Sequence, residues 1–233
     1  MKTLLSLLRP YEPIIRLILA LMYITGLVGL HISASEDLFR LLVPFHLITT
    51  GVLLLLFQEL PTRSFWLFCL AIFLMGYGVE VAGVHTGVIF GEYWYGATLG
   101  LKVFEVPLTI GLNWLVLTIG AGMLWQGRPL PLVVRATLAA ACMVFLDVLL
   151  EPVAVRFDFW HWKNEQIPLQ NFLAWALVAW VFCLLFQLVR FPKINRLAAY
   201  LFYFRSSSSL RTGCFCFFNN FLQIFHNQLV IKF

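Results

Sequence analysis

Residues 130–152 read LPLVVRATLAAACMVFLDVLLEP. As a helix rising about 1.5 Å per residue, the apolar part, 130–150, is long enough to cross a hydrocarbon layer of about 30 Å. Two carboxyls close the run. Asp147 and Glu151 are four residues apart, so they stack on one helical face. An ionisable side chain costs roughly 2.5–3.5 kcal/mol at the centre of a span, and less near its end. Such groups face the bundle interior and mark functional sites.

Five further runs flank this one: 14–30, 38–57, 65–83, 103–125 and 171–189. A seventh begins near 197 and is interrupted by Arg205 and the serines at 206–209. The predicted fold is therefore all-α, a polytopic transmembrane helix bundle of six to seven spans. One helical domain covers 1–204. An atypical C-terminal tail, 205–233, reads as an incomplete last span or a disordered segment.

Composition agrees. Hydrophobic residues make up 61% and charged residues 12%, against about 25% charge in a soluble domain. The mean hydropathy is +0.89. That apolar surplus needs lipid as its solvent. The net charge of +5 comes from Lys and Arg spread over short loops and the C-terminal end. No basic stripe suggests nucleic acid. Counted on alternate sides of six spans, Lys2, Arg9, Arg63, Arg128, Arg135, Arg190, Lys193 and Arg196 share one side. Arg40, Lys102, Arg156 and Lys163 share the other. The richer side is predicted to be cytoplasmic, which places both termini inside. The loops after spans three and five then lie together outside. Lys2 and the short run before Arg9-Pro10 do not read as a cleaved signal peptide.

Those two loops carry the unusual residues. Glu80 lies near the end of span three. Beyond it come Gly83, His85, Gly87 and the aromatics Tyr93, Trp94 and Tyr95. Gly83 and Gly87 are four apart and suggest helix packing on one face. His85 alone reads as a structural hydrogen-bonder. After span five come Phe157, Asp158, Phe159, Trp160, His161 and Trp162. Aromatics near a membrane surface commonly form an interfacial belt. Beside acids they have a second use, because ring faces stabilise a developing cation. Two carboxyls in a low-dielectric site resist double ionisation, and one that keeps its proton can donate it. Asn171 opens span six as a helix cap or a water-orienting group.

Other chemistry lacks its signatures. No phosphate-binding glycine loop, HExxH or nucleophile elbow occurs. The five histidines form no multi-His box of the di-iron oxygenase kind. Cys69, Cys142 and Cys183 sit inside apolar runs. The pair Cys214 and Cys216 lacks a second ligand pair at zinc-site spacing.

Residues 80–114, EVAGVHTGVIFGEYWYGATLGLKVFEVPLTIGLNW, resemble a family of bacterial and archaeal membrane proteins of carotenoid biosynthesis. So do residues 146–175, LDVLLEPVAVRFDFWHWKNEQIPLQNFLAW. Together the blocks and the spans between them cover about 70–189. The family includes carotenoid 1,2-hydratases and bisanhydrobacterioruberin hydratase. The resemblance implies addition of water to the terminal double bond of an acyclic carotenoid ψ-end, giving a tertiary alcohol. It implies no cofactor and no metal. The partners it implies are a long apolar carotenoid drawn from the bilayer, membrane lipids and other carotenoid biosynthesis enzymes. It also implies a bacterial plasma membrane, with the N-terminus cytoplasmic by the charge count.

The resemblance places Glu80, His85, Tyr93, Tyr95, Asp147, Glu151, Trp160, Trp162, Asn171 and Trp175 on motif positions. Asp147, Glu80 and Glu151 are the expected catalytic groups: Asp147 the acid, Glu80 the water-activating base. His85, Tyr93, Tyr95, Trp160, Trp162, Asn171 and Trp175 are the expected substrate-binding groups. The resemblance ends near Tyr203, where the serine run and a Cys- and Asn-containing tail replace a further apolar span. The alternatives are a carotenoid cyclase or isomerase using the same acids, or a non-catalytic transporter or scaffold.

Overall fold

The computed structural model describes residues 6–198 and 200–202. The cysteine pair at 214 and 216, the serine run and the tail 205–233 lie outside the described residues. Six helices build the bundle: α1 (Glu12–His31), α2 (Glu36–Leu56), α3 (Arg63–Thr86), α4 (Thr109–Met123), α5 (Leu132–Arg156) and α6 (Leu169–Leu188). All except α4 are long and apolar enough to cross a membrane, α1 together with the turn that precedes it from Ser6. The architecture is the all-α bundle that the hydropathy predicts.

The exception sits at the centre. Helix α4 has 15 residues, about 22 Å at the helical rise, too short for a span by itself. It is apolar all round, as a buried helix should be, and nearly every residue from Ile110 to Gly122 is buried or half-buried. It packs against α2, α3, α5 and α6. Gly76 on α3 permits a close approach, since a Cβ there would lie 2.6 Å from Trp114 Cβ.

The expected fourth span, 103–125, starts too early. Residues 102–107 form a hairpin instead, β2 (Lys102–Val103) paired antiparallel with β3 (Val106–Pro107). Its two turn residues, Phe104 and Glu105, have φ of 48° and 63°, as a two-residue hairpin turn of the primed type requires. Tyr77 on α3 donates to the carbonyls of Val103 and Val106.

Two other expectations are corrected. Helix α5 runs through Pro152 to Arg156 rather than ending at 150. Gly87 does not pack helices. It caps α3 at φ 64°, with its N–H on Gly83 O, the left-handed stop that favours glycine.

At the end of the bundle nearest the N-terminus, ion pairs tie the chain together. Glu59 pairs with Arg9 at 2.6 Å and with Arg196 at 3.2 Å. Glu12 pairs with Arg16 at 2.5 Å and with Arg196 at 3.5 Å.

Candidate active site

The opposite end holds the site. Thr62 caps the start of α3, its hydroxyl accepting from Phe65 N–H. The helix then carries Glu80 to the far end, where Gly87 stops it. The chain turns back across Gly83, against which Phe90 packs. It enters β1 (Tyr93–Tyr95), which pairs antiparallel with β4 (Trp160–Trp162) beyond α5. The register sets Tyr93 opposite Trp162 and Tyr95 opposite Trp160.

Strand alternation then sorts the aromatics. Tyr93, Tyr95 and Trp162 are buried and Trp160 is half-buried. Trp94 and His161 face the other way and stack at 5.8 Å between ring centroids.

A tight latch closes the pairing. Gly96 N–H donates to Phe159 O at 2.9 Å, and Ala97 N–H to the Asp158 carboxylate at 2.8 Å. A Cβ on Gly96 would lie 2.1 Å from Asp158 O. Asp158, at φ 58°, accepts from His161 at 2.7 Å and lies 3.8 Å from Arg40 of α2. Burial raises the Asp158 pKa, but the His161 bond, the Ala97 N–H and the charges of His161 and Arg40 outweigh it. The carboxyl is held below its usual range.

Beneath β1 and β4 lies a cavity of about 90 Å³. Glu80, Asp147 and Glu151 all line it and all are buried. Glu80 accepts three bonds: from Tyr93 at 2.5 Å, from Tyr95 at 2.7 Å and from the Trp114 indole at 3.0 Å. Glu151 also accepts three, from Trp162 at 2.8 Å, Trp160 at 3.1 Å and Asn171 at 3.2 Å. Asp147 accepts one, from the same Asn171 amide nitrogen at 3.2 Å.

Burial, followed by the charge of Glu80, pushes both phenols up. Tyr93 and Tyr95 therefore stay protonated as donors. Ring contacts complete the walls: Trp114 stacks on Trp175 at 4.1 Å, and Tyr93 tilts against Trp162 at 5.2 Å.

Nine of the ten residues singled out in the sequence line this cavity: Glu80, Tyr93, Tyr95, Asp147, Glu151, Trp160, Trp162, Asn171 and Trp175. His85 does not join them. It is exposed, and its ring bonds Val81 O on its own helix at 2.9 Å. Sequence reasoning missed Trp114 and Asn113, which also line it. Trp114 had a signal. An indole in the middle of an apolar helix needs a partner for its N–H. Among the described residues, no three of His, Cys, Asp or Glu lie close enough together to hold a metal ion.

Comparison with known proteins identifies the family. The carotenoid biosynthesis protein family matches residues 41–231, wider on both sides than 70–189 and past Tyr203, where the resemblance was expected to stop. The chain is 34% identical over 141 residues to the bisanhydrobacterioruberin hydratase of Haloarcula japonica, covering 55% of this chain and 46% of that protein. It thus spans about half the length of the curated relative it matches. No solved structure matches.

Proposed function

The chain belongs to the carotenoid biosynthesis protein family, and from that premise we propose that it hydrates the terminal double bond of an acyclic carotenoid. The observation that carries this reading is the convergence of three buried carboxyls and eight aromatic side chains on one small cavity. The name of the Haloarcula japonica relative, a hydratase, supports the same reaction class.

Hydration of a trisubstituted alkene begins with a proton. Of the three carboxyls, Asp147 has the fewest donors to hold a negative charge. A charge on Glu151 opposes a second charge on Asp147, so the pair retains one proton. Asp147 delivers it to the less substituted carbon, and the alkene π pair becomes the new C–H bond. The positive charge falls on the tertiary carbon. Tyr93, Tyr95, Trp114, Trp160, Trp162 and Trp175 surround it, each ring contact worth about 0.5–2 kcal/mol to a desolvated cation. Water attacks that carbon, and Glu80 takes the surplus proton as general base. Return of a proton from Glu80 to Asp147 resets the site. Atoms balance as alkene plus water to tertiary alcohol.

The charge count supports a plasma-membrane orientation with the N-terminus cytoplasmic, which puts the cavity at the outer face. The test is expression in a bacterium that accumulates an acyclic carotenoid. A product heavier by one water is expected. An isomer of unchanged mass would overturn hydration in favour of ring closure or isomerisation.

A further inference from the structure

The acid cavity is too small for the substrate it is proposed to serve. At about 90 Å³ it falls below the roughly 150 Å³ apolar cavity that takes up benzene. An end group fits there and a long polyene chain does not. The rest of the chain must lie elsewhere.

A second, larger hollow adjoins it. This groove of about 330 Å³ runs between α1 and α2 and reaches α5. Four residues line both spaces: Val43, Leu47, Leu150 and Phe159. The groove wall is aliphatic and aromatic, with Tyr23 set edge-on to His46 at 4.4 Å between ring centroids. Its rim includes Leu42 and Phe45, which are exposed on the lipid-facing surface of α2. Gly26 of α1 contributes the width. A Cβ at that position would meet nothing within 4 Å.

We propose that this groove holds the apolar chain of the same carotenoid whose end group occupies the acid cavity, entering sideways from the bilayer. The inference rests on the hydratase reading for the identity of the chain. Val43, Leu47, Leu150 and Phe159 form the neck between chain and end group. The groove then fixes which double bond reaches the acids, because only a terminus can pass the neck and lie in so small a chamber.

The test purifies the full chain in detergent from a bacterium that accumulates an acyclic carotenoid, and reads pigment per protein from visible absorption. Gly26→Phe fills the groove from α1 and Val43→Phe fills the neck from α2. Each is expected to lower pigment per protein about tenfold, as added bulk excludes a ligand from a packed site. Ile24→Phe, on the exposed face of α1, retains pigment like the unaltered chain and controls for added bulk.

Full retention by both filled variants would overturn the proposal and leave the groove to a lipid acyl chain. Full hydration by Asp147→Asn, with pigment lost from the filled variants, would sink the acid assignment while the groove stood.

Discussion

Asn171 spends one amide nitrogen on two carboxyls, 3.2 Å from each. Its position in the first turn of α6 makes it the only side-chain donor seen on Asp147 among the described residues. Asp147→Asn should therefore lower hydration by about 10²–10⁴-fold, the usual contribution of a positioned acid, with protein still present in the membrane. Product analysis of matched membranes checks this. Trp114→Phe keeps the ring against Trp175 and removes one of three donors from Glu80. Leaving that buried acceptor short of a donor should destabilise the fold by about 1–3 kcal/mol, readable as a lower melting temperature in detergent. Sequence showed the acids plainly, because a charge inside an apolar run stands out. It did not show which donors reach each acid, because Tyr93 and Tyr95 sit on a short strand and Trp114 on a separate helix, brought to Glu80 only by the fold.

At the scale of elements, the two short strands matter more than their length suggests. The stacking of Asp147 and Glu151 on one face of α5 was legible from spacing. The pairing of β1 with β4 was not, because three-residue strands leave too little periodicity to separate from an interfacial belt. Yet that pairing turns four aromatics inward over the acids. Gly96→Ala should open it, since the added Cβ would meet Asp158 O at 2.1 Å. Loss of hydration together with faster proteolysis of the 92–101 loop is the expected result.

The Asp158 latch gives a pH dependence with a definite sign. A carboxyl held below its usual range in the folded state stabilises fully above about pH 3.9, the ordinary aspartate value. That contribution is lost as pH falls through the lower folded value. Asp158→Asn should melt at a lower temperature than the unaltered chain at neutral pH. The gap should narrow on acidification below about pH 4. A gap unchanged by pH would deny the latch its ionic part.

For the whole molecule, hydropathy delivered the bundle and misjudged its centre. Helix α4 reads as one more span because its apolar run continues back through Val103. The hairpin at 102–107 depends on Phe104 and Glu105 adopting positive φ, and neither residue type announces that conformation. The bundle then surrounds α4 with long helices and leaves α1 and α2 largely exposed to lipid. That asymmetry gives the molecule a small acid chamber and a lateral groove beside it, which suits a substrate dissolved in the bilayer.

Asp147, Glu80 and Glu151 are proposed to act together to add water to a terminal alkene. The most direct measurement incubates membranes holding the unaltered chain or Asp147→Asn with an acyclic carotenoid in heavy-oxygen water. A tertiary alcohol carrying the heavy isotope is expected from the unaltered chain, and none from Asp147→Asn at equal protein. An unlabelled or isomeric product, or equal labelled product from both, would contradict it.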